Sequence, residues 1–151
     1  MLTNRGNIWT YPAEVVLITT NGIVKKNGEA VMGRGCAREA RDYFPGISLK
    51  LAEYLTQYGN RPFNLGHWDY PKLSTIQKWI WTFPTKHNWR DNSDLDLITA
   101  SARHLIQMAN KFEVTTIVLP RPGCANGKLS WEVVQPIIAD IFDDRFTSIT
   151  F

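Results

Sequence analysis

Two cysteines in 151 residues, Cys36 and Cys124, are too few for a disulfide framework or a four-cysteine zinc site. No apolar run approaches the length of a membrane span, and residues 1–6 are too short and polar for a signal peptide. A reduced, cytoplasmic protein without a membrane segment is the expectation. Neither sign of charge dominates: 17 Lys and Arg stand against 14 Asp and Glu, a net +3 that suits an anionic ligand or nucleic acid without requiring either. The basic residues are spread over the chain and form no stripe for duplex binding. Also missing are G-x-G-x-x-G, the Walker lysine loop, H-E-x-x-H and G-x-S-x-G. That weighs against dinucleotide oxidoreductases, P-loop NTPases, zincins and serine hydrolases. No metal or other cofactor is expected.

What is present is a soluble domain's worth of apolar sequence, 44% hydrophobic and 21% charged. Residues 14–19 enclose the uninterrupted apolar run Val15-Val16-Leu17-Ile18, as in a central strand covered on both faces. Residues 6–11, closed by Pro12, suggest a short opening strand. Residues 21–29, rich in Gly, Lys and Asn, suggest a mobile loop. Helices are expected over residues 37–44 and, after the Pro45-Gly46 break, over 47–58, with Gly59 as the stop. Residues 63–70 and 76–83 look like strands; in the second, Trp79, Trp81 and Phe83 alternate with Ile80 and Thr82. Ser93 is the expected cap of a helix bearing Leu95, Ile98, Ala102, Leu105, Ile106 and Ala109. Another buried strand spans 115–119. Ser130 should cap a last helix in which Pro136 makes a kink or marks the true first turn, and 146–151 close as a strand. Alternating strands and helices without repeat or linker predict one domain, residues 1–151. Its expected fold is a three-layer α/β/α sandwich on a mixed, mostly parallel sheet.

Two stretches share one grammar of strand, small-residue loop and helix. The first is Val31-Met32-Gly33-Arg34-Gly35-Cys36-Ala37, and the second is Pro120-Arg121-Pro122-Gly123-Cys124-Ala125-Asn126-Gly127-Lys128. Glycines let the backbone approach a ligand, and a helix start offers unpaired N–H groups to an anion. Two such loops at the ends of neighbouring strands would make jaws for a phosphate-bearing ligand. Cys36 and Cys124 then serve best as small buried residues lining the loops. A third stretch, Pro84-Thr85-Lys86-His87-Asn88-Trp89-Arg90-Asp91, follows a strand. From composition it is a polar loop of solvated charges with Trp89 packed on the sheet. The alternative is a lysine of lowered pKa acting as nucleophile or electrostatic clamp. His67 and His104 are expected to be structural or at the surface.

Taken together, these pieces resemble the macro domain, an ADP-ribose-binding fold. The opening Gly6-Asn7-Ile8, the strand into Asn21 and both glycine loops follow that family's order. Within it, the chain is similar to the branch containing the DNA ADP-ribosyl glycohydrolase antitoxins, whose patterns run roughly V-M-G-K-G-x-A, F-P-T-K-x-x-W-R and G-C-G-x-G-G-L-x-W. Residues 31–37, 83–90 and 123–131 stand against them. The resemblance implies that Asn7 and Ile8 sit at the adenine, with Asn7 replacing the usual aspartate but still able to accept. It implies that Asn21, after Thr20, meets the distal ribose, and that Gly33, Arg34, Gly35 and Cys36 wrap that ribose and the diphosphate. Residues Gly123, Cys124, Ala125, Asn126, Gly127 and Lys128 would cradle the phosphates. Pro84 and Thr85 lead to Lys86, the lysine that supports hydrolysis in that branch, and the implied catalytic set joins Asp91 and Asn21 to it. The chain departs from the family in a longer first loop, residues 22–30. Ala37 also replaces an acidic residue of some protein-directed hydrolases, and Gly127 an aspartate of a related lysine-using branch. The implied activity is removal of ADP-ribose from modified nucleic acid or protein by a monomer, with a cognate ADP-ribosyltransferase as partner. A non-catalytic ADP-ribose reader and an ADP-ribose 1″-phosphate phosphatase are the alternatives.

Overall fold

The computed structural model describes residues 1–71 and 76–150. Six strands, β1 (Leu2–Arg5), β2 (Val15–Thr20), β3 (Asn64–Asp69), β4 (Gln77–Pro84), β5 (Ile117–Leu119) and β6 (Phe146–Thr150), form one sheet in the order β1-β6-β5-β2-β4-β3. Every pairing is parallel except β3 with β4, so the sheet is mixed and mostly parallel as expected. The described residues also form four helices: α1 (Gly35–Tyr43), α2 (Ile47–Tyr58), α3 (Leu95–Phe112) and α4 (Trp131–Ile141).

The three layers follow from strand alternation. Val16 and Ile18 of β2 and Ile80 of β4 face one core with residues of α1 and α2. Val15, Leu17, Trp81 and Phe83 face the other with α3 and α4. All four apolar residues of the 15–18 run are fully buried, which is why that run shows no polar face.

Several local expectations need correction. The opening strand is residues 2–5; residues 6–11 instead turn, because the Asn7 carbonyl accepts from Thr10 and Tyr11 N–H while its side-chain oxygen accepts from Trp9 N–H at 2.9 Å. A short polar side chain bonding its own backbone outcompetes a ladder. The cap of α3 is Asp94, not Ser93: its carboxylate accepts from Asp96 and Leu97 N–H. Thr115 and Thr116 lie outside β5 because the Glu14 carboxylate takes both their N–H groups, at 2.9 and 3.2 Å, and those bonds lower its pKa. Pro136 lies inside α4, past its first turn; the Glu132 carbonyl it leaves unpaired is on an exposed residue, where water can satisfy it. Residues 21–29 form a loop, as expected, whose ends are joined by the Lys25 N–H to Glu29 carbonyl bond of 2.8 Å and a Val24–Ala30 bridge. The last position of the strand expected over 146–151 falls outside the described residues.

Lys78 is buried on the inward side of β4. Its Nζ donates to the carbonyls of Tyr11 and Ala13, each at 2.6 Å, and burial lowers its pKa. The ammonium thereby ties the 6–13 turn to the sheet. No helix among the described residues is long and apolar enough to cross a membrane.

Candidate functional site

Parallel strands end together, so the segments leaving β2, β4 and β5 collect at one edge of the sheet. The segment leaving β4 is fastened from several sides. Thr85 N–H donates to the Thr20 carbonyl at 3.0 Å, and the Thr85 carbonyl accepts from Asp94 N–H at 2.9 Å. Ser101 Oγ donates to the Pro84 carbonyl, Asn60 Nδ2 to the Lys86 carbonyl at 2.9 Å, and Gly22 N–H to the His87 carbonyl at 3.1 Å. A backbone held by five bonds fixes where the Lys86 side chain begins, the condition for a group placed to act on a bound molecule.

The two small-residue loops lie across from that lysine. Lys86 Nζ donates to the Asn126 carbonyl at 3.2 Å. A Cβ on Gly35 would be 3.9 Å from Asn126 Nδ2, so the loops face each other. Arg34, at the N-cap of α1, makes no side-chain cap bond, leaving the first-turn N–H groups open. Among the described residues the N–H groups of Gly123, Ala125, Asn126 and Gly127 have no partner either. Between the loops and Lys86 lies a cavity of about 540 Å³. A second, of about 520 Å³, adjoins it through Cys36, Pro120, Arg121 and Ala125. Gly6 and Ile8 lie on its wall, as does Trp131, with the Arg121 guanidinium 5.0 Å from the ring centre. The paired cavities make one long cleft with N–H donors at its waist, a shape for an extended molecule with anionic groups in the middle.

Most residues singled out by sequence line this cleft. Thr20, Asn21, Gly33, Arg34, Gly35, Cys36, Thr85, Lys86, Gly123, Ala125, Asn126 and Gly127 border the first cavity; Ile8 and Cys124 border the second. The Asn21 amide bridges the first loop, donating to the Val31 carbonyl and accepting from Ile23 N–H. Four stand off the walls. Asn7 is exposed and spends one acceptor position on its own turn, Pro84 is buried behind Thr85, and Asp91 and Lys128 act on Lys86 only through their charge.

Trp89, Ser93, Arg121 and Lys25, all outside the expected site residues, also line the cleft. Trp89, expected to pack on the sheet, is instead 47% exposed and belongs to neither core. Ser93 Oγ is buried and unpartnered, while Ser93 N–H donates to the Gly127 carbonyl at 3.0 Å. The one sign of Ser93 in the sequence was its place before a helix, which suggested a cap.

Electrostatics sort the candidate nucleophiles. Desolvation lowers the Lys86 pKa, with Arg34 and Lys128 adding to the effect and Asp91 opposing it. Burial pushes the Cys36 thiol up to about 12, helped by Glu39, and burial raises Cys124 as well. Both thiols therefore stay protonated and act as packing. No group of three His, Cys, Asp or Glu side chains suited to a metal occurs among the described residues.

Next to Lys86, His87 Nε2 and the Asp94 carboxylate are 2.9 Å apart, and that bond is the main reason the Asp94 pKa is lowered. A carboxylate of depressed folded pKa stabilises the fold above its unfolded value, about 3.9, and loses that contribution as pH falls through the folded value. Asp94→Ala should cost about 1 kcal/mol at neutral pH through lost capping, or about 2–4 °C in Tm. Thermal unfolding of both proteins should show the gap narrowing as pH drops below about 3.9; a gap independent of pH would mean the carboxylate's charge is not what stabilises the cap.

Similarity to known proteins agrees with this geometry. The model of the macro domain matches residues 25–138. A Thermosipho africanus DNA ADP-ribosyl transferase–DNA ADP-ribosyl glycohydrolase fusion protein is 29% identical over 129 residues, covering 76% of this chain and 33% of that protein. A Thermus aquaticus DNA ADP-ribosyl glycohydrolase is 27% identical over 141 residues, covering 92% and 37%. The chain thus spans about a third of the length of these curated relatives. The macrodomain of Mycobacterium tuberculosis DarG superposes with a TM-score of 0.81 at 24% identity, covering 99% of this chain and 97% of that one. With the family model matching well over half of its length, the chain belongs to the macro domain family.

Proposed function

We propose that residues 1–151 act as one ADP-ribose-binding domain that hydrolyses ADP-ribosyl groups from modified nucleic acid or protein. One observation carries the reading: two loops rich in free N–H groups face each other across a cleft, with the Lys86 amine bonded over to Asn126 at 3.2 Å. The curated relatives, named as DNA ADP-ribosyl glycohydrolases, support DNA as the target, and the fused relative supports an ADP-ribosyltransferase as partner.

In this reading the adenosine half occupies the cavity of Ile8 and Trp131, and Asn7 meets the adenine through its remaining acceptor position. The pyrophosphate lies between Gly33–Cys36 and Gly123–Lys128, and the distal ribose lies by Thr20, Asn21 and Thr85. Lys86 then faces the anomeric carbon. The bond from that carbon to the leaving group breaks with its electron pair going to the leaving group, which takes a proton, and water supplies the hydroxyl of the released ADP-ribose. Held in place by the pyrophosphate, the carbon meets Lys86 without a search, and positioning supplies a large share of the rate. The lowered pKa of Lys86 leaves it more able to attack as an amine, and its charged form stabilises negative charge on departure.

One feature favours a non-catalytic reader instead. Among the described residues no carboxylate lines the first cavity, so none of them is there to activate water. A release assay on ADP-ribosylated DNA and ADP-ribosylated protein separates the two. Free ADP-ribose as product supports the enzyme. Saturable binding with no product from either substrate establishes the reader, and phosphate released from ADP-ribose 1″-phosphate would establish the phosphatase.

A further inference from the structure

Trp89 is 47% exposed and lines the cleft in the same stretch as Lys86. Its loop is shaped to present it. The Asn88 carbonyl accepts from Asp91 N–H and the Asn88 side-chain oxygen from Arg90 N–H, each at 3.1 Å, closing a tight turn around Trp89 and Arg90. The Arg90 guanidinium stands 4.9 Å from the indole centre, and Trp89 is a member of neither apolar core. A half-exposed aromatic in the same cleft as a lysine amine, with a cation over it, has the make-up of a stacking platform.

The surrounding charge says what kind of group would stack. Lys25, Arg34, Lys86 and Arg121 are on the cavity wall, with no carboxylate there among the described residues. Lys128 adds its charge at Lys86, and Asp91 is the opposing group. A protonated lysine or arginine leaving group would be repelled here. An ester of an acidic side chain has little flat surface and would leave the indole uncovered. A nucleobase is flat, and the chain that carries it is a polyanion.

We propose that Trp89 and Arg90 form the leaving-group subsite: the ADP-ribosylated nucleobase of a single strand stacks on the indole, and Arg90 takes an adjacent backbone phosphate. This rests on the glycohydrolase reading above and adds to it the residues that select nucleic acid.

The test is steady-state release from an ADP-ribosylated single-stranded oligonucleotide, run beside titration with free ADP-ribose, which carries no leaving group. Trp89→Ala should raise KM for the oligonucleotide roughly 5- to 100-fold, while affinity for free ADP-ribose changes by less than about threefold. Trp89→Tyr, which keeps a ring, should stay within about fivefold of wild type in KM. Arg90→Gln should flatten the dependence of log affinity on log salt by about 0.7, one phosphate contact to a single strand. Trp89→Ala with wild-type KM would overturn the subsite while leaving the hydrolase intact. Equal losses for oligonucleotide and free ADP-ribose would also overturn it, by placing Trp89 at the ADP-ribose itself, and so would wild-type release from modified protein alone. A wild-type protein that releases nothing from any substrate would instead remove the underlying reading.

Discussion

Lys86→Ala is expected to reduce release of ADP-ribose by about 10²–10⁴-fold, the range seen when a single positioned catalytic group is removed. Affinity for ADP-ribose should stay within a few-fold, because the pyrophosphate is held by backbone N–H groups that the substitution leaves in place. The fold should tolerate the change, since among the described residues its side chain makes one hydrogen bond, an exposed 3.2 Å contact to Asn126. Lys86→Arg resolves how the amine acts. A guanidinium keeps the charge but does not deprotonate, so it should rescue an electrostatic role and fail to rescue attack on carbon. If attack is the mechanism, the wild-type rate should rise with pH as the amine is freed. It should level off below the ordinary lysine value of about 10.4, because burial and the cations Arg34 and Lys128 lower the pKa of Lys86. Unchanged turnover in Lys86→Ala would take the lysine out of the mechanism.

The second large effect is at Gly127, and its cause is space. Gly127 has no left-handed φ to defend, unlike Gly123 at +76°. A Cβ added to Gly127 would collide with Ser93 Oγ and lie 2.5 Å from the Gly123 carbonyl oxygen and 2.8 Å from Gly123 Cα. Two of those three obstacles are backbone, which cannot swing aside. Gly127→Ala should therefore displace the loop at a cost of about 1–3 kcal/mol in stability. It should also weaken ADP-ribose affinity at least tenfold by moving the N–H groups of Ala125 and Asn126 off the ligand. Adding Ser93→Ala should not restore binding, as the Gly123 backbone still blocks the methyl. Full affinity in Gly127→Ala, measured calorimetrically, would show that the second loop does not hold the pyrophosphate.

The residue after it tells a related story. Lys128 occupies a position where the resembled pattern has glycine, and its φ is +62°. The left-handed backbone explains the glycine of the pattern; this chain keeps the geometry and bears a side chain there.

The layers and the cleft were legible because their signals are periodic or local. Residues 15–18 are apolar without a break, and a run of that kind fits only a strand covered on both sides. The loops at 33–36 and 123–128 showed as small residues between a strand and a helix. What the sequence concealed depends on partners far along the chain. Lys78 sits in the inward phase of β4, yet its ammonium is satisfied by the carbonyls of Tyr11 and Ala13, 67 and 65 residues away. Residues 115 and 116 look like strand until the Glu14 carboxylate takes their N–H groups from about a hundred positions upstream. Trp89 was misjudged because a tryptophan's ordinary fate is burial, and a turn closed by Asn88 overrides it.

Calorimetric titration of the wild-type protein with ADP-ribose tests the central claim most directly, since it asks whether the two loops form one clamp for the pyrophosphate. One site per chain is expected, with micromolar or tighter affinity and severe weakening in Gly127→Ala. No saturable heat at millimolar ADP-ribose, from protein that unfolds cooperatively, would contradict the account.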